Sequence, residues 1–116
     1  MLRELFLGFI RVHILFHAAE APVYGTALME ELARHGYLVG PGTLYPILHA
    51  LQSQGYLRRE DQVVNGRVRK YYRITPTGRR ALTRAQVQLR ELVEEVLPPP
   101  RPKGPGKRIG ARRKPL

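Results

Sequence analysis

Residues 57–74 read LRREDQVVNGRVRKYYRI, two β-prone runs separated by Asn65-Gly66. Asn-Gly accepts positive φ at both central positions of a type I′ turn, whose twist matches that of paired strands. The segment therefore predicts a β-hairpin with strands Leu57 to Val64 and Arg67 to Ile74. Side chains alternate along a strand, so Arg67, Arg69, Tyr71 and Arg73 share one face and Val68, Lys70, Tyr72 and Ile74 the other. Tyr72 and Ile74 are expected to pack inward, with Lys70 leaving that face at the twisted edge.

Working upstream, Gly55 closes a helix predicted over about 42–54, with Leu44, Leu48 and Leu51 on one face. Pro41 could be its first residue or Thr43 its N-cap. Pro46 favours Thr43, because proline is cheap only in the first helical turn. A second helix, about 25–35, buries Leu28 and Leu32 and stops at Gly36, a residue suited to the left-handed position after a helix. Before Pro22 the apolar positions Leu2, Leu5, Phe6, Phe9, Ile10, His13 and Phe16 recur at three and four, giving a helix over 2–19. From Val12 to Phe16 this helix is apolar nearly all round and needs cover on more than one side. A second copy of the chain is the expected second cover.

Downstream, Thr75-Pro76 reads as N-cap and first residue of a fourth helix running to about Val96, before Pro98-Pro99-Pro100. Its Leu82, Ala85, Leu89, Leu92 and Val96 repeat at 3-4-3-4, a coiled-coil-like seam. With no room expected for this helix in the core, the seam predicts a two-fold dimer. Three helices, then a basic hairpin, then a dimerisation helix describe a mainly α winged helix-turn-helix occupying residues 1–96. The remaining 97–116, rich in proline, glycine and cations, predicts a disordered basic tail.

The chain of 116 residues has a formal net charge of +11, and the excess is local. Residues 58–73 carry net +4 and 97–116 net +7, whereas the rest cancels. Cations concentrated on one hairpin and one tail suit a polyanion, because phosphates release their counterions only where cations face them. Cysteine is absent, which excludes disulfides, thiol nucleophiles and Cys-based zinc sites. No nucleophile–base–acid set and no phosphate-cradling glycine loop is present, so no enzyme and no cofactor is expected. His13 and His17 lie one helical turn apart, but nothing in the sequence places further ligands beside them, and no metal site is assigned. The N-terminal apolar run is broken by Arg11 and His13, too short for a signal peptide or a membrane span. The chain is read as cytoplasmic, with no membrane partner.

In this architecture the third helix enters the major groove and the hairpin reaches flanking backbone. Thr43, Tyr45, Pro46 and His49 are the candidate groove residues. That helix carries no Arg, Lys or Asn, so bidentate reading of guanine is unavailable and shape readout is expected to matter. Arg67, Arg69 and Lys70 are the candidate phosphate contacts in the wing. Arg79 joins them, because a cation in the first turn of a helix opposes the macrodipole and is expected to seek an outside anion.

Individual residues carry a resemblance as well. Gly42-Thr43-Leu44-Tyr45-Pro46-Ile47-Leu48-His49-Ala50-Leu51, then Gly55-Tyr56-Leu57, then Arg69-Lys70-Tyr71-Tyr72-Arg73-Ile74-Thr75-Pro76-Thr77-Gly78-Arg79 resemble the PadR family of bacterial transcriptional regulators. Members typically read G-T-L-Y-P-x-L-x-R-L, G-L-L and R-K-Y-Y-x-L-T-x-x-G-R in that order, and the likeness spans roughly 10–85. Departures are Ala50 for a frequent arginine, Tyr24-Gly25-Thr26-Ala27 for His-Gly-Tyr-Glu, and His13 and His17 for aliphatic residues. The resemblance implies a homodimeric winged-helix repressor of the family's short subgroup. Its interface would be built from the first and last helices, here Leu5, Phe6, Phe9, Leu82, Ala85, Leu89, Leu92 and Val96. It also implies release of double-stranded DNA on binding a small-molecule effector or on another signal. The contrasting reading is a sequence-indifferent nucleoid-associated or RNA-binding protein that uses the tail.

Overall fold

A computed structural model describes residues 1–100, so most of the expected basic tail lies outside the described residues. Helix α1, Leu2–Glu20, ends where Ala21 is forced into an extended conformation by Pro22. It turns Ile10, Ile14, Leu15 and Ala18 into the core, while Leu2, Leu5, Phe6 and Phe16 remain exposed. The helix thus has two apolar stripes, and the chain itself covers one of them.

Two residues of strand follow, β1 (Val23–Tyr24), which the sequence reading did not anticipate. Helix α2, Gly25–Arg34, buries Leu28 and Leu32 as expected. It stops at Gly36, whose φ of +89° lets Tyr37 N–H donate back to the Leu32 carbonyl at 3.0 Å. Helix α3, Pro41–Ser53, corrects the expected start: Gly40 is the N-cap, Pro41 the first helical residue, and Thr43 lies inside the first turn. Pro46 is tolerated deeper than the first turn because the carbonyl it leaves without a donor is that of Gly42. Gly42 is exposed near the helix start, where water can replace the missing bond. The helix ends on Gly55 (φ +83°) in the same way as α2 does, with Tyr56 N–H on the Leu51 carbonyl at 2.9 Å.

Strands β2 (Leu57–Val64) and β3 (Arg67–Ile74) pair antiparallel in the expected register, Val64 opposite Arg67 and Leu57 opposite Ile74. Asn65 and Gly66 take φ of 52° and 77°, as a type I′ turn demands. β1 adds to the other side of β3, opposite Tyr71 and Tyr72 only, giving the sheet order β1-β3-β2. Helix α4, Pro76–Val96, begins at Thr75, whose Oγ1 accepts from Gly78 N–H at 2.9 Å.

The core is built from α1, α2 and α3 packed on the inner face of the sheet, with Ile14, Leu28, Leu32, Leu44, Leu48, Leu51 and Tyr72 fully buried. Burial of each such side chain stabilises the fold by about 1.5–3 kcal/mol. The expectation that α4 has no place in this core is corrected at its first turns: Leu82 is 7% exposed and belongs to it. Beyond Leu89 every residue of α4 is exposed. This is the mainly α winged helix expected, with four helices and one three-stranded sheet among the described residues. No helix among them is long and apolar enough to cross a membrane.

Candidate nucleic-acid interface

The wing sorts its cations into two groups. At its base, Arg59 forms a forked pair with Asp61 at 2.8 and 2.9 Å, and Arg73 Nε donates to Glu60 at 2.7 Å. Arg58 lies 3.6 Å from the same Glu60. These hydrogen bonds, Arg73 on Glu60 and Arg59 on Asp61, hold both carboxyls below their ordinary pKa, so two of the three arginines at the base are balanced. Nearer the tip, Arg67, Arg69 and Lys70 have no carboxylate within ion-pair distance among the described residues. Three of the wing's four net positive charges therefore sit on the residues singled out from the sequence.

A cleft of about 490 Å³ lies beside these cations, lined by Tyr24, Gly25, Thr26, Tyr45, Asn65, Arg67, Arg69 and Lys70 among others. It exists because β1 is so short. After Tyr24 the chain turns into α2, leaving the edge of β3 from Arg67 to Lys70 without a strand partner on that side. Arg69 is held by aromatic rings: its guanidinium lies 4.2 Å from the centre of Tyr24 and donates to Tyr71 Oη at 3.3 Å. Lys70, on the opposite face of the strand, places its ammonium 5.7 Å from the centre of the Tyr45 ring on α3. Tyr45 is half-buried and packs directly on Gly25, where a Cβ would lie 2.2 Å from its hydroxyl. Tyr45 is thus a packing residue whose edge reaches the cleft. The first turn of α2, whose N-cap Tyr24 makes no side-chain cap, also borders the cleft.

Pro46 and His49 are exposed on the outer side of α3. Thr43 is brought elsewhere: it is half-buried and lines a hollow with Leu2, Phe6 and Leu38 near the start of α1. As a helical residue Thr43 lies only about 40° round α3 from the buried Ile47, which turns it away from the outer side. Arg79, expected to seek an outside anion, has a partner within the chain. Its guanidinium donates to the Ala19 carbonyl at 3.3 Å, at the C-terminal end of α1, where the helix dipole favours a cation. Tyr24, Tyr71 and the first turn of α2 were missed. Val23-Tyr24 between Pro22 and Gly25 is a β-prone pair at a turn, but two residues carry no periodicity to detect.

Of the expected interface residues, Phe9, Leu82 and Leu89 line an apolar groove of about 600 Å³ between α1 and α4, together with Val12, Phe16, Val93, Leu97 and polar residues, whereas Leu5, Phe6, Ala85, Leu92 and Val96 lie outside its lining. Leu5 is 40% exposed, Phe6 48%, Leu92 51% and Val96 64%, while Ala85 and Leu89 are partly covered and Leu82 is already buried.

Comparison with known proteins places this geometry. Residues 14–84 match the Transcriptional regulator PadR-like family. The chain is 53% identical over 96 residues to transcriptional regulator Rv3488 of Mycobacterium tuberculosis, covering 83% of this chain and 90% of that protein. A PadR family transcriptional regulator from Eggerthella lenta superimposes with a TM-score of 0.74 at 38% identity, covering 83% and 85% of the two chains. A Streptococcus transcriptional regulator superimposes with a TM-score of 0.72 at 25% identity, covering 79% and 92%.

Proposed function

The chain belongs to the PadR-like family of transcriptional regulators, proteins that regulate rather than catalyse, and from that premise we propose that it is a homodimeric repressor binding a pseudo-palindromic DNA site. Each copy presents α3 to a major groove, the two grooves one helical turn, about 34 Å, apart. Arg67, Arg69 and Lys70 take the flanking phosphates. The observation that carries this reading is that, within the wing, these three cations have no carboxylate at ion-pair distance and gather around a cleft that adjoins both α3 and the uncapped start of α2. Backbone N–H groups at a helix start favour a phosphate for the same electrostatic reason. Tyr45, Pro46 and His49 meet the groove. With no Arg, Lys or Asn on α3, much of the selectivity comes from DNA shape.

The dimer is supported by the exposed Leu5, Phe6, Leu92 and Val96, an apolar stripe that α1 and α4 leave uncovered. A small-molecule effector belongs to the same reading, and the apolar groove between those helices is large enough to hold one.

Fluorescence anisotropy with a selected operator and a scrambled duplex tests the proposal. If each dimer neutralises six to eight phosphates, affinity falls with salt at a log–log slope of roughly −5 to −7. Arg69→Ala with Lys70→Ala weakens binding to both duplexes and flattens the slope by about one for each phosphate left unneutralised. His49→Ala changes the ratio between the duplexes instead. A slope near zero, or a ratio unmoved by substitutions at Tyr45, Pro46 and His49, would overturn the assignment.

A further inference from the structure

Three histidines meet on one side of the groove between α1 and α4. His13 and His17 lie one turn apart on α1, and His35 is the C-cap of α2. Each offers a ring nitrogen, and these atoms all lie within 4.8 Å of one another. The rings are arranged in a row, with His13 centred 4.8 Å from His35 and 6.2 Å from His17.

His17 identifies the direction from which a ligand would come. Its Nδ1 is turned to Glu20, 3.7 Å away on the same helix. Its Nε2 is buried and has no hydrogen-bond partner. A nitrogen removed from water without a partner destabilises the fold. The nearest carboxylate, Glu31 one turn before His35, stops 3.8 Å from that nitrogen and 3.5 Å from His35 Nε2. Packing alone explains the stacked rings but leaves this atom unsatisfied.

We propose that His13, His17 and His35 form a binding site for a borderline divalent cation of the zinc class. Three imidazole nitrogens suit Zn²⁺, Co²⁺ or Ni²⁺, whereas Mg²⁺ and Ca²⁺ require oxygen donors. Zinc–nitrogen bonds of about 2.0–2.1 Å place tetrahedral donors roughly 3.3–3.4 Å apart. The ring nitrogens therefore close by up to about 1.4 Å on binding, a shift that the partly exposed His35 can supply at the end of its helix. Glu31 stands beside the fourth position. Glu20, 3.7 Å from the other nitrogen of His17, stands where the outer-shell carboxylate of a histidine ligand is commonly found.

Zn²⁺ titrated into the full-length, metal-stripped protein against a chromophoric chelator tests the site without involving DNA, so its failure would leave the regulator reading untouched. One zinc per chain is expected, and Co²⁺ in its place should show the visible absorption of a tetrahedral nitrogen-rich site. His35→Ala, at an exposed position where folding is readily confirmed by circular dichroism, should weaken zinc binding by about 100-fold. His13→Gln should do the same while keeping the side chain polar. A ten-fold or larger loss is the minimum, since even outer-shell changes cost that much. Absence of stoichiometric zinc uptake, wild-type affinity in both variants, or displacement of zinc by millimolar Mg²⁺ would overturn the proposal.

Discussion

A methyl group added at Gly78 would lie 2.2 Å from the Tyr56 carbonyl oxygen and 2.8 Å from Ile74 Cγ1. The first obstacle is backbone and cannot rotate away. Gly78→Ala should therefore destabilise the protein by about 1–3 kcal/mol, the usual cost of overpacking. Gly8 is also helical, but a Cβ there meets nothing within 4 Å. Gly8→Ala should raise stability by roughly 0.5–1 kcal/mol through lost unfolded-state freedom. Chemical denaturation of the two variants checks both signs. Nothing local in the sequence separates these glycines, because what distinguishes them is the chain that passes over Gly78. The same limit hid His35 from the reading of His13 and His17. The helical repeat reveals neighbours one turn apart, whereas His35 arrives only when α2 packs on α1.

At the level of single elements, legibility followed from how local the determining physics is. The hairpin was readable to the residue, since alternation and a positive-φ Asn-Gly pair are properties of the segment itself. The start of α3 was not, because the cost of Pro46 depends on whether water reaches the carbonyl it orphans. β1 was invisible for lack of length, although it creates the cleft on which the proposed phosphate contacts converge. The wing's ion pairs give the hairpin a pH dependence of its own. Arg73 and Arg59 hold Glu60 and Asp61 below their ordinary pKa values, so both carboxyls bind protons less well folded than unfolded. Their contribution is complete above the ordinary carboxylate range and is lost as the pH falls through and below it. Amide exchange should therefore show β2 and β3 loosening before the helices on acidification. Equal loosening of all elements would contradict this assignment.

For the whole molecule, α4 divides into an anchored start and a free end. Exposed Leu92 and Val96 contribute little to the fold of a single chain, so Leu92→Glu with Val96→Glu should leave monomer stability nearly unchanged. If the helix pairs with its counterpart, the double variant sediments as a monomer at micromolar concentration where the wild type is a dimer. The wild-type melting temperature should also rise with protein concentration. The anchored start has a wider consequence. Thr75 N–H donates to the Tyr56 carbonyl at 3.0 Å and its hydroxyl to that of Gly55 at 2.6 Å, so α4 begins bolted to the corner where α3 ends. The corner has little give, with Gly78 wedged beneath it. If two copies pair through α4 as proposed, a tilt imposed on its far end would be levered into α3, and whatever splays or closes the pair would set the stride between its two footholds on the double helix.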